Sequence, residues 1–181
     1  GAMALTRRAI ETFHRSLREG VSEAEVARAI IEAVENAGGE TRRPTLLFGP
    51  RTALPHGRPG PYRLERDQPA FTELSGWVHG YAAGLCRSSV LGRHPGAESL
   101  HLLAEDALHA AIDAIRQGVT AHEVDAACQG VIKRAGRADA FRHRTGYQKG
   151  IMWLDRGNLS IEPGATALLA AGMTFHIPII L

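Results

Sequence analysis

The chain has 181 residues and a formal charge of +2, from 21 Lys+Arg against 19 Asp+Glu, so the length suits one domain and the 44% apolar fraction supplies a sizeable core. The near-balanced charge argues against a nucleic-acid binder, which needs a basic excess to neutralise phosphates, and no apolar run reaches the ~18 residues of a membrane span. Two cysteines, Cys86 and Cys128, form no CxxC pair and no disulfide framework, which points to a reducing cytoplasm.

Gly1-Ala2-Met3 reads as a cloning scar. Over residues 4–19, Ala9, Ile10, Phe13 and Leu17 recur at helical spacing, and Gly20 closes the helix. Ser22 followed by Glu25 is a capping box that opens a second helix through Val26, Ala29, Ile30 and Val34, ending at Gly38-Gly39. Residues 44–48 suggest a short strand, and the Pro- and Gly-rich stretch 49–68 a loop. Strands are predicted at 69–75 and 77–91 and helices at 96–116 and 121–135. Strands at 143–154 and 173–181 follow, joined by a connector over 160–172. Four helices and five or six strands make an α+β pattern.

Residues 18–38 and 116–136 repeat one another. About 8 of 21 aligned positions are identical, and each copy carries a Gly-Val followed by a capping box, Ser22/Glu25 and then Thr120/Glu123. Two copies are too few for a solenoid. They imply an internally duplicated domain, two halves related by a pseudo-twofold axis.

Four further segments, in order, carry a family resemblance: Leu54-Pro55-His56, FTELSGWVHGYAAGLCRSSVLG at 71–92, HRTGYQKGI at 143–151, and Gly172-Met173-Thr174-Phe175. With the repeat, they resemble the pita-bread fold of creatinase, aminopeptidase P and methionine aminopeptidase. The resemblance implies two pseudo-twofold halves in which helices cover a curved, mostly antiparallel sheet. It implies that residues 4–181 are a single catalytic domain without the N-terminal domain and without the last strands of that family.

The same resemblance argues against a two-metal centre. Two adjacent hard cations need several carboxylate oxygens. The matching positions here are Glu73, Gly84, Tyr147 and Pro178, with a last ligand position beyond Leu181. No metal and no cofactor are therefore expected. RTGY at 144–147, GMTFH at 172–176 and the Phe71-Thr72-Glu73 context look like ectoine hydrolase, a metal-free member. Cys86 and Pro178 stand where creatinase carries glutamates.

The resulting expectation is a metal-independent hydrolase of a non-peptide C–N bond, a cyclic amidine, guanidino or amide group, in a small nitrogen-rich substrate. Two alternatives stand beside it: an inactive pita-bread module that binds a peptide or protein partner, and a cyclase or lyase. His56 is the candidate base or proton shuttle, since imidazole titrates near neutrality. Glu73 is the candidate to orient a substrate cation or to act as base. Tyr147 is a candidate hydrogen-bond donor to a substrate carboxylate, or a plug for the vacated metal pocket. His176 and His143 are candidates for the cavity and its mouth. Arg87 is a candidate substrate contact, although an arginine there more often anchors such a hairpin by a structural ion pair, and Cys86 reads as a small buried thiol. The apolar run Ile177-Pro178-Ile179-Ile180-Leu181 resembles an uncovered strand end, which predicts a homodimer or a partner subunit over that edge.

Overall fold

The computed structural model describes residues 1–151, 157 and 159–181. The chain divides into two compact units, Gly1–Glu98 and Ser99–Leu181.

In the first unit, helix α1 (Ala2–Ser16) buries Leu5, Ala9, Ile10 and Phe13 along one stripe, the face that its apolar spacing predicts. Helix α2 (Glu23–Glu35) adds Val26, Ile30 and Val34. Both cover an antiparallel sheet of β1 (Glu40–Thr41), β2 (Thr45–Phe48), β3 (Pro69–Val78) and β4 (Tyr81–Val90), in which β3 pairs with the other three. Leu46, Phe48, Ala70 and Leu74 complete this core. Thr6 ties the helix to the sheet: its hydroxyl donates to Ala83 O at 2.6 Å and accepts from Gly76 N at 2.9 Å. A Cβ on Gly76 would lie 2.5 Å from Leu5 Cβ and 2.9 Å from Thr6 N, so only glycine permits this approach.

In the second unit, α3 (Pro95–Ala114, beginning in the first unit) and α4 (Ala121–Arg134) supply Ala107, Ala111, Val124, Cys128 and Ile132. These pack with Leu159, Ile161 and Leu169. The sheet order is β6 (Ser160–Ile161), β5 (Gly146–Gln148), β7 (Phe175–His176), all antiparallel.

Several boundaries differ from expectation. The first helix stops at Ser16, where Leu17 turns extended (φ −70°, ψ 118°). Trp77 and Val78 belong to β3 rather than to the following strand, because the hairpin turns on His79 and Gly80, with φ 49° and 83°. Positive φ at both positions matches the twist of the flanking strands, and histidine there carries no obvious turn signal. The strand predicted over 143–154 is ordered as a strand only at Gly146–Gln148, and its stretch 152–154 lies outside the described residues. The strand predicted over 173–181 is confined to Phe175–His176, since Pro178 has no N–H to extend a ladder. β1, and β6 within the predicted connector, are two-residue strands with no periodicity in the sequence. The apolar C-terminal run does not form an uncovered strand end: Pro178 and Ile180 are buried, and Ile177, Ile179 and Leu181 pack against the core of the second unit.

The internal repeat is visible in the backbone of each unit. Gly20 N donates to Leu64 O (2.8 Å) and Leu64 N to Val21 O (2.9 Å); Gly118 N donates to Leu169 O (2.9 Å) and Leu169 N to Val119 O (2.8 Å). Both capping boxes are complete, with hydroxyl and carboxylate satisfying each other's helix end.

Candidate active site

His56 and Glu73 come together. Imidazole Nε2 lies 3.6 Å from Glu73 Oε2, with the histidine side chain 58% exposed and the glutamate 11%. Glu73 sits in mid-strand on β3, opposite Thr45 of β2 and Cys86 of β4. Residues paired across antiparallel strands share a face, so Cys86 flanks Glu73 and its thiol donates to the carboxylate. Burial pushes the Cys86 thiol far up from its usual range; the Glu73 charge adds to this and Arg87 opposes it. Cys86 is therefore a neutral thiol and an unsuitable nucleophile, since the thiolate is the reactive form.

The loop that presents His56 is clasped by a residue that no motif in the sequence singles out. Glu23, at the first position of α2, is fully buried. Its Oε1 accepts from Phe48 N and Arg51 Nε, each at 2.9 Å, and its Oε2 accepts from Gly60 N at 2.9 Å. Arg51 Nη2 in turn donates to Arg58 O at 3.0 Å. One carboxylate thus holds both ends of the segment 48–60, with His56 between them. In the second copy of the repeat the equivalent position is Ala121, also buried. The clasp is therefore an addition to the shared helix start. That Glu-to-Ala difference between the copies was the available sequence signal.

Arg87 is not brought to the His56–Glu73 pair. It stands opposite Thr72 in register, hence on the other face of the hairpin from Glu73. It donates to Cys86 O at 2.6 Å, and its charge reaches His14 on α1. Burial first, and Arg87 second, lower the His14 pKa.

In the second unit Tyr147 and His176 come together. They face each other in register across β5 and β7, both buried, with ring centroids 5.4 Å apart at 52°. Arg144 lies over the Tyr147 ring at 5.3 Å. A Cβ on Gly146 would lie 2.7 Å from His176 O, so the glycine before Tyr147 is what lets these strands meet. Buried Asp125 anchors the start of β5 by accepting from Thr145 Oγ1 at 2.7 Å. His143 is partly buried, and its Nδ1 lies 3.0 Å from Arg144 O.

A family model described as "Metallopeptidase family M24" matches residues 1–180. The chain belongs to this family. Among M24 relatives, it is 30% identical over 171 residues to "Putative dipeptidase YkvY" of Bacillus subtilis, covering 93% of this chain and 47% of that protein. The solved dipeptidase PepE of Mycobacterium ulcerans superposes with a TM-score of 0.86 at 32% identity, over 97% of this chain and 49% of its own. The prolidase of Pyrococcus furiosus gives 0.89 at 25% identity, over 96% and 52%. The fold is therefore the pita-bread fold of M24. The chain spans about half the length of the curated relatives it matches.

These M24 relatives correct the expected chemistry. They carry dipeptidase and prolidase names, which point to peptide-bond hydrolysis and overturn the expectation of a non-peptide C–N substrate of the ectoine hydrolase or creatinase kind. Neither the binding-module nor the cyclase alternative gains support from them. The metal that the M24 family name implies can be tested on donor chemistry. At the positions carried over from the resemblance, Gly84 has no side chain, Pro178 offers no ligand atom, and Glu73 already lies beside His56 and accepts from the Cys86 thiol. Two adjacent cations need several carboxylates. These residues do not fit a two-ion centre.

Among the described residues, no helix is long and apolar enough to cross a membrane.

Proposed function

We propose that this chain is the M24 module of a peptidase that hydrolyses the peptide bond of a short peptide, with His56 and Glu73 as its acid–base pair. The observation that carries the reading is the approach of the His56 imidazole to a largely buried Glu73 carboxylate, 3.6 Å, at the edge of an open cleft. Catalytic hydrogen bonds are often long in a free enzyme and tighten on substrate.

A carboxylate beside Nε2 favours the proton on that atom, which leaves Nδ1 as the basic nitrogen. His56 then takes a proton from the water that attacks the peptide carbonyl. Glu73 stabilises the imidazolium that forms, and His56 returns the proton to the departing amine nitrogen.

The test is a dipeptide panel that includes Xaa-Pro members, assayed with the full chain before and after chelation and with added Mn²⁺ or Co²⁺. His56→Ala and Glu73→Gln are each expected to lower kcat/KM by at least about a hundredfold, the usual contribution of a positioned acid–base group. Cleavage that survives both substitutions would overturn the assignment of the pair.

A further inference from the structure

Residues 54–62 belong to no helix or strand, so no ladder of backbone hydrogen bonds fixes where His56 stands. Its side chain is more than half exposed, so packing holds it only in part. Its approach to Glu73 therefore depends on how the loop is tied down. Glu23 Oε2 accepts from Gly60 N. Glu23 Oε1 accepts from Arg51 Nε, and Arg51 Nη2 donates to Arg58 O. Gly57 rests on β2, where an added Cβ would lie 2.5 Å from Leu47 Cδ2.

Arg51 is the strut of this arrangement. Its guanidinium is planar and rigid, so its bonds to Glu23 and to Arg58 O have a fixed separation and direction. The backbone two positions beyond His56 is thereby set at a constant distance from a fully buried carboxylate. Leu47 and Thr45 are two apart on β2 and share a face, and Thr45 pairs in register with Glu73. The loop is thus seated on the sheet face that carries Glu73.

The second unit builds the same helix start without this carboxylate. In the first unit Glu23 N donates to Tyr62 O and Ala24 N to Gly60 O, each at 3.0 Å; in the second, Ala121 N donates to Ala167 O and His122 N to Ala165 O, each at 2.9 Å. The shared backbone frame therefore forms around a buried alanine as well as around a buried glutamate. A buried ion pair is moreover a poor source of stability, since apolar residues of similar volume often do as well or better. What Glu23 and Arg51 add to the frame is a directional hold on the loop that carries His56.

We propose that Glu23, acting through Arg51, is a positioning residue that holds the His56 imidazole against the Glu73 carboxylate. Neither Glu23 nor Arg51 takes part in bond making. For its effect on turnover the proposal rests on the peptide-hydrolase reading; for its effect on His56 it rests on the loop geometry alone. A misplacement of about 1 Å at a reacting group can cost roughly a hundredfold in rate. A loosened loop should therefore lower kcat and leave KM largely in place.

Two measurements on the full chain test this, with Glu23→Gln and Arg51→Lys as the clasp variants. Arg51 is partly exposed, and lysine there keeps the charge but loses the fork, so the second variant serves even if the first does not fold. By NMR at fixed pH, Glu73→Gln is expected to shift the His56 ring resonances in the wild type, and that shift should be largely lost in either clasp variant. An undiminished shift, with near-ultraviolet circular dichroism unchanged, overturns the proposal whether or not any peptide is cleaved. No shift in the wild type would undo the His56–Glu73 pair itself, and the proposal with it.

The kinetic measurement uses a dipeptide that the wild type cleaves. Each clasp variant should lower kcat roughly ten- to a hundredfold. In a His56→Ala background the same substitutions should leave the residual rate unchanged, because a residue that acts through another has no effect once that other is gone. Ser22→Ala, which removes the cap of the same helix, should keep kcat. Equal losses in both backgrounds, or a matching loss in Ser22→Ala, mean a general loosening of the fold; they overturn the positioning role and leave the peptidase reading intact.

Discussion

Glu23 occupies the first turn of α2, where an acidic residue ordinarily complements the positive end of the helix dipole from solvent. Here its carboxylate points inward and takes three donors from the His56 loop. Removing it by Glu23→Ala leaves Arg51 and two backbone N–H groups uncompensated. We expect a loss of about 3–5 kcal/mol, the cost of breaking a buried ion pair from one side, measured by denaturant unfolding. Glu23→Gln keeps the shape but loses the charge and should cost less, about 1–3 kcal/mol. Arg87 offers a second test. Its charge contributes to keeping His14 below the ordinary histidine range, so Arg87→Gln should raise the His14 titration midpoint followed by NMR. A group with a lowered folded-state histidine pKa resists protonation in the native state. Its contribution to stability is present above the unfolded value, near 6.5, and declines as pH falls below it.

The two capped helices are the elements on which sequence and structure agree most closely. Ser22 and Thr120 each accept from the N–H three residues on, and Glu25 and Glu123 return the contact. Local hydrogen bonds of this kind are fixed by residue identity at fixed spacing, which is why they could be read without a tertiary structure. Ser22→Ala and Thr120→Ala should each cost about 1 kcal/mol in urea or guanidinium unfolding. The Ser22 hydroxyl and backbone hold the Glu25 carboxyl below its usual range, and the Thr120 backbone and hydroxyl do the same for Glu123. Carboxyls lowered in this way contribute stability above the ordinary carboxylate pKa and lose it as pH falls through the folded value. The stability gap between wild type and Glu25→Gln or Glu123→Gln should therefore shrink below about pH 4. The short strands β1 and β6 escaped the sequence because two residues carry no periodicity. They exist because a neighbouring strand supplies partners for their backbone groups.

Across the whole molecule, the two thiols report on the two units separately. Cys86 lies in the sheet of the first unit and Cys128 in the core of the second, and burial raises both pKa values. Both should resist alkylation near pH 8 in the native protein and react readily in denaturant, where the thiol returns to a pKa of about 8.5. Mass spectrometry of each cysteine peptide would show this; rapid native labelling of either would contradict its placement.

Residue order by itself determined the helices, their caps, the duplicated helix starts, the long central hairpin and the pairing of His56 with Glu73 as candidates, because each rests on local spacing or on a motif. It did not determine the bond attacked: the motifs resemble those of a non-peptide hydrolase, and the relatives carry dipeptidase and prolidase names. Only the tertiary structure decided which charges meet which partners. Glu23 and Arg51 neutralise each other in a buried clasp, and Arg42 lies on Trp77. The reason is that a charge's partner is set by distance in space, and the chain brings Glu23 to Gly60, 37 positions away, only when it folds.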